Sequence, residues 1–338
     1  MGSTRPLLKA IAILEIDQNK DIFWIWSYPS VSAQTKTSIQ SKVAFESDEF
    51  IVIQTDEGWF YALSRRGSTN ARVLAVTVVL QADAFHPQRY RRLLSVLNES
   101  YQTNNSPPEL LRIYLVAQTK QIINENGFSV DLRSLPAPTE SVPIKELIRA
   151  FQTETILVYT ALLLELRVMI YHHSADDLQQ MVAAAASLMS HRRNPFENTY
   201  PLMGNTEADV SFLRGKKTYL AGVTDASMGT RMDMMDLWVA LPSAEVVIAL
   251  HAKEALSRCK THKEIALFMC RCSENTRMSD GDVVREIALK TRNLLSAVTK
   301  TVRGRPEMSA EKAIGAANLS PTLESFYKAI ARIEKIHN

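Results

Sequence analysis

A few stretches of this chain hold residue types that could do chemistry. Gly215-Lys216-Lys217-Thr218 looks like part of a phosphate-binding loop. Such a loop needs a glycine five residues earlier and a Ser or Thr directly after the first lysine, so that backbone N–H groups cradle the phosphates. Val210 and Lys217 occupy those places, so nucleotide binding is not expected. Cys259, His262, Cys270 and Cys272 have the composition of a metal site. On a helix, however, Cys270 and Cys272 point about 200° apart and cannot share one ion. His172-His173 follows a strand-like run, and neighbouring strand residues face opposite ways, which is no metal pair either. No nucleophile elbow, zincin helix or dinucleotide fingerprint occurs, and the carboxylates are scattered. No covalent chemistry, cofactor or metal is expected.

The elements that would position any site come next. The length of 338 residues suggests two or three modules, and 46% apolar residues are enough for a large core. Lys and Arg number 39 against 36 Asp and Glu, a balance that argues against nucleic acid as the main partner. Three cysteines make no disulfide framework, which fits a reducing compartment. Met1–Pro6 is polar, so no signal peptide is expected. The longest apolar run, Ile156–Leu164, falls short of the roughly 20 residues a bilayer span needs. A soluble intracellular protein with peripheral membrane association at most is expected.

Leu7–Ile16 and Ile22–Tyr28 read as strands joined by Asp17-Gln18-Asn19-Lys20. A helix over Ala33–Phe45 follows. A hairpin of Phe50–Gln54 and Trp59–Ser64 turns at Asp56-Glu57-Gly58, whose glycine can take a positive φ. Val73–Leu80 is a fifth strand. Helices after Pro87 and Pro107 carry apolar stripes at helical spacing. Residues 1–124 therefore form a small antiparallel sheet with helices, and residues 125–142, with Asn126-Gly127 and two prolines, read as a linker. Residues 143–273 alternate helices (Ile144–Phe151, Thr155–Leu164, Asp176–Ser190) with strands (Arg167–His172, Lys217–Val223, Leu237–Leu241, Ala244–Leu250), an α/β lobe with a mixed sheet. Residues 274–338 are helical, with Arg303–Ser320 expected as a mobile polar connection.

Three surfaces could bind partners. In Phe23-Trp24-Ile25-Trp26-Ser27-Tyr28-Pro29, period-two alternation puts Trp24, Trp26 and Tyr28 on one face. They are either core under a helix or a docking face, and Trp26 and Tyr28, nearest the turn, are the better positioned for exposure. Arg89, Arg91 and Arg92 on a helix, and Arg65, Arg66 and Arg72 around a loop, read as solvated faces that could meet an acidic partner or anionic lipid. Met228, Met232, Met234 and Met235 form either an adaptable loop surface or packing against the sheet.

The run Thr160-Ala-Leu-Leu-Leu-Glu165-Leu-Arg167-Val-Met-Ile-Tyr171 with the helix after it, and Tyr219-Leu-Ala-Gly222-Val-Thr-Asp225, resemble the central block of DENN domains. The upstream strand–helix order resembles a longin module, and the helical tail completes that family's tripartite layout. Trp24–Pro29, Asp236–Leu241, Lys253-Glu254-Ala255, His262-Lys263-Glu264 and Ile287-Ala-Leu-Lys-Thr-Arg292 resemble most the short stand-alone member associated with late endosomes and the Commander assembly. The resemblance implies a Rab GTPase as partner and guanine nucleotide exchange as activity, by preferential binding of the nucleotide-free GTPase rather than by acid–base catalysis. Two departures argue against exchange activity, and the resemblance to the short late-endosomal member implies a second class of function. Only Pro195 and Pro201 stand where many exchange factors have proline-rich segments, and Asp236-Leu-Trp-Val-Ala-Leu replaces an acidic strand. That class is a non-exchanging scaffold, cytoplasmic and recruited to late endosomes, docked on coiled-coil proteins of the Commander assembly through Trp26, Tyr28 and Trp24.

Overall fold

A computed structural model describes residues 8–43, 48–67, 73–125 and 128–337. Met1–Pro6, Arg72 and the Asn126-Gly127 pair lie outside the described residues. The chain separates into two compact units, Met1–Pro138 and Thr139–Asn338, so the division falls inside the stretch read as a linker.

In the first unit, β1 (Leu8–Asp17) and β2 (Ile22–Tyr28) form the expected hairpin. Asp17 Oδ1 accepts the N–H groups of Asn19 and Asp21, each at 2.9 Å, and this turn holds Lys20 at φ 68°. Helix α1 (Ala33–Gln40) closes earlier than the expected Phe45, with the Ser41 N–H returning to the Thr37 carbonyl. β3 (Phe50–Thr55) and β4 (Gly58–Arg66) turn at Asp56-Glu57. Gly58 has φ +125°, and a Cβ there would stand 2.9 Å from the Ala82 carbonyl oxygen, so the position demands glycine. With β5 (Val73–Ala82) the strands order as β2-β1-β5-β4-β3, all antiparallel. Helices α2 (Pro87–Asn104) and α3 (Pro107–Lys120) cover one face. That face contains Ile11, Ile13, Val78, Leu80 and Tyr61, because residues paired across the ladder share a side, and the Tyr61 ring packs on Tyr90 of α2 at 4.4 Å. The stretch read as linker is partly structured: β6 (Ile122–Glu125) and β7 (Phe128–Asp131) pair, and Ile123 and Leu132 are buried. Strands of four residues leave too short a pattern to read in sequence.

The second unit opens with α4 (Ile144–Phe151) and α5 (Thr155–Leu163). All of α5 is buried, as a helix apolar on every side requires. The sheet comprises β8 (Arg167–Tyr171), β9 (Thr199–Met203), β10 (Tyr219–Val223), β11 (Leu237–Ala240) and β12 (Glu245–Ile248), ordered β12-β11-β8-β10-β9. Only β12 runs antiparallel to its neighbour, so the sheet is mixed, as expected. β9 escaped the sequence reading. So did α7 (Glu207–Arg214), whereas α6 (Ala175–Ser187) did not. β10 approaches β9 and α6 so closely that a Cβ on Gly222 would meet the Pro201 carbonyl oxygen at 2.3 Å and Val182 Cγ2 at 2.9 Å.

Helices α8 (Lys260–Glu274), α9 (Asp280–Arg303), α10 (Ala310–Gly315) and α11 (Pro321–Ile333) complete the unit. The connection expected to be mobile and polar therefore contains α10, whose Ala313 and Ile314 are fully buried. Basic side chains satisfy the open carbonyls at helix C-termini, where the dipole favours them. Arg149 donates to Ser273 O at 2.8 Å at the end of α8, and Lys145 donates to Asn275 O and Met278 O just beyond. Arg192 donates to Leu163 O at 3.0 Å at the end of α5. Among the described residues no helix is long and apolar enough to cross a membrane.

One polar contact ties β8 to β11. The Asp236 carboxylate accepts the backbone N–H of Arg167 (2.7 Å) and its guanidinium (3.0 and 3.3 Å), and His251 Nε2 lies 2.7 Å from Asp236 Oδ1. Burial pushes the Asp236 carboxyl up, but the Arg167 and His251 hydrogen bonds outweigh it and hold the group below the usual carboxylate range. A carboxyl depressed in the folded state stabilises above its unfolded value and loses that contribution as pH falls through the folded one. Asp236→Asn is therefore expected to destabilise the protein by about 3 kcal/mol at neutral pH. In urea unfolding, the gap from wild type should shrink only under strong acid.

Candidate docking site

β2 lies at the edge of the first sheet and carries the aromatic run. Its register on β1 is not uniform. Ile11, Ala12 and Ile13 pair with Tyr28, Ser27 and Trp26, but Leu14 pairs with Trp24, so Ile25 is an extra residue at a β-bulge. The bulge breaks the alternation expected from the sequence. Trp26 and Tyr28 share the face of Ile11 and Ile13, which α2 and α3 cover; Trp24 shares the opposite face with Leu14. The placement of Trp24, Trp26 and Tyr28 on one face is thus corrected, since adjacent β1 residues face opposite ways. On its own face Trp24 is half-buried under the Lys36 ammonium of α1, 5.2 Å from the ring centre.

Trp26 and Tyr28 stack with ring centres 6.5 Å apart and planes 8° from parallel. Tyr28 meets Tyr114 of α3 edge-on at 6.4 Å. Burial pushes the Tyr114 hydroxyl up to about 12, with Tyr28 adding to the effect. Tyr28 is 46% exposed and Trp26 half-buried, so neither belongs to a closed core. The register adds Phe23, opposite Glu15 on the same face and 50% exposed. Ile25 at the bulge is 45% exposed, and Leu115, next to Tyr114, is exposed too. Sequence reasoning missed Phe23 and Ile25, because strict alternation assigns them to the other face and a bulge leaves no local signal. Exposed aromatics clustered on an edge strand form a surface of the kind that dominates protein interfaces.

The remaining candidates resolve into structural roles. Met228, Met234 and Met235 are buried in one cluster with Tyr219 and Trp238, and Met232 packs against it, so the methionine loop is packing rather than an adaptable surface. Tyr219 donates its hydroxyl to the Met234 carbonyl across that cluster. Gly215 closes α7, whereas a phosphate loop leads into a helix. His172 and His173 stand beyond the end of β8, where their rings stack at 4.2 Å instead of facing apart. His172 Nδ1 accepts the Ser174 N–H at 3.0 Å. Cys259 caps α8 with Sγ 3.2 Å from His262 Nδ1, which also accepts the Cys259 N–H. Burial and Arg258 push His262 down to about 4, so it is a neutral core ring against Phe326. Arg65 pairs with Asp48 at 3.1 Å, and the Arg91 guanidinium lies over the Phe50 ring.

Residues 142–250, from just before α4 to the turn after β12, match the family model described as "Stabilization of polarity axis". Over 305 residues the chain is 29% identical to DENN domain-containing protein 10 of Danio rerio, covering 87% of each chain. It is 27% identical to the Homo sapiens protein of the same name over 98% of this chain and 96% of that one. With the Dictyostelium discoideum protein of that name it shares 23% identity over 88% and 87%. Similarity along most of the chain, on this mixed α/β layout, supports a DENN-type protein. The two Homo sapiens relatives, DENN domain-containing protein 10 and putative DENN domain-containing protein 10 B, are similar to it over nearly its whole length.

If the Tyr28 side chain faces solvent for function rather than packing, its loss should cost little stability. Tyr28→Ala is expected to cost less than about 1 kcal/mol in urea unfolding. Tyr61→Ala, which removes a fully buried ring that hydrogen-bonds Ala84 O at 2.9 Å, is expected to cost about 3–5 kcal/mol.

Proposed function

We propose that this chain is a DENN-type regulator of late endosomal membrane traffic that works by binding other proteins, one of them a Rab GTPase whose nucleotide it releases. The observation that carries the protein-binding reading is the solvent-facing Trp26–Tyr28 stack beside Phe23. The Rab reading rests on the similarity to DENN domain-containing proteins along most of the chain. Exchange asks for no acid, base or metal; it asks that the nucleotide-free GTPase be bound more tightly than the loaded one. The test is release of a fluorescent GDP analogue from a panel of Rab proteins, with and without stoichiometric protein. Acceleration of one or two Rabs is expected; no acceleration of any of them removes the exchange reading.

A second reading is favoured by the bulge. A partner strand added to β2 would meet a ladder broken at Ile25 and ended by Pro29, so an incoming partner gains more from the side chains than from the backbone edge. Helices of a coiled coil engage side chains in that way. In this reading the chain is a non-exchanging adaptor, recruited to endosomes through coiled-coil subunits of the Commander assembly, with Trp26 and Tyr28 as contact residues. Trp26→Ala/Tyr28→Ala is expected to reduce retention of those subunits in a pull-down at least tenfold, as loss of central aromatic contacts does. Retention equal to wild type, in a variant that stays folded, would move the docking site elsewhere.

A further inference from the structure

The last two helices are tied more closely to each other than their lengths suggest. Arg332 of α11 donates to Glu311 of α10 at 3.0 Å, while Lys328 donates to Glu324 at 2.6 Å within α11 itself. Arg305, in the link before α10, donates to the carbonyls of Ala313 (3.4 Å) and Ala316 (3.0 Å) at its far end. These contacts hold the link, α10 and α11 as one piece. Its apolar contribution is modest. Ala313 and Ile314 are buried from α10, and Phe326, Ile330 and Ala331 from α11. Phe326 covers the His262 ring of α8 at 4.2 Å, and both helices pack on α9.

The far end is held differently. Glu334, which caps α11, turns away from the pair and accepts from Arg192 Nη2 at 2.7 Å and Nε at 3.3 Å. Arg192 is itself fixed by the Leu162 and Leu163 carbonyls at 3.4 and 3.0 Å, and it lies 3.5 Å from Glu165. His191, whose side chain is only 3% exposed, places Nε2 3.8 Å from the same Glu334 oxygen. His191 and then Arg192, against the opposing pull of burial, hold the Glu334 carboxyl at about 2.

We propose that the link, α10 and α11 form a strap that opens as a single body about Gly304, which closes α9, and that the Glu334–Arg192 contact is the latch holding its free end. A small apolar footprint combined with one charged anchor at the distal end makes the strap a low-stability unit on a stable base. Opening uncovers the Phe326–His262 contact and the side of α9 beneath α10 and α11. Losing a charge-assisted hydrogen-bonded pair at the anchor shifts that opening equilibrium without touching the sheet.

Hydrogen exchange of the full-length chain, read by mass spectrometry, tests this. In Glu334→Gln, peptides covering α10 and α11 should exchange about tenfold faster, by a common factor, while β8, β10 and the first half of α9 keep wild-type protection. A second variant, Glu311→Gln, cuts the tie within the strap and should let α11 accelerate more than α10. Unchanged protection of α11 in Glu334→Gln overturns the latch. Acceleration of α11 without α10 in that variant overturns the single body. Loss of protection throughout the second unit would make Glu334 a strut of the whole lobe and overturn the strap.

Discussion

Asp236 is nearly withdrawn from water yet keeps its charge, and the second unit is arranged around that constraint. A buried carboxylate survives only if its oxygens are filled with donors. Arg167 supplies both a backbone N–H and a guanidinium, and His251 closes the remaining side. The pair fixes where β8 and β11 begin relative to each other, and β8 is the central strand of the sheet. Through β8 the register passes to β10, where Gly222 lets β9 and α6 close in. The methionine cluster then fills the space under Trp238. Residues that make the chain resemble DENN domains are here residues that set strand positions.

The first unit solves a different problem. Its sheet ends in β2, a strand rich in aromatic side chains with only one neighbour. The bulge at Ile25 divides those side chains between the two faces, giving Trp24 to α1 and leaving Phe23, Trp26 and Tyr28 beside α3. Neither helix on that face extends far enough to enclose them. The result is a partly covered aromatic surface on a rigid scaffold.

Much of this was legible in the sequence because it is local. The order of strands and helices follows from periodicity, the β1–β2 turn from Asp17, and the β3–β4 hairpin from Gly58. What escaped depends on distant partners. Arg167 and Asp236 stand 69 residues apart, and nothing near either announces the other. The bulge is a property of two strands together, so Trp24 could not be separated from Trp26 by reading β2 alone. β9 and α7 are short and weakly patterned, and α10 is hidden in a polar stretch where only Ala313 and Ile314 turn inward. The methionine loop looks exposed by composition and is buried only because Tyr219 and Trp238 stand over it.

The cations at the helix ends bear on how this molecule meets others. Lys145, Arg149 and Arg192 point their charges at backbone carbonyls. The formal excess over the whole chain is only +3. Several other basic groups on the outside face a carboxylate, as Arg65 does Asp48 and Arg258 does Glu154. A surface balanced in this way projects little field beyond a Debye length. Encounters with it proceed without electrostatic steering, on the order of 10⁵–10⁶ M⁻¹s⁻¹, and change little with salt. Selectivity must then reside in how long a complex lasts, which contact between fitted side chains decides, and not in how fast it forms.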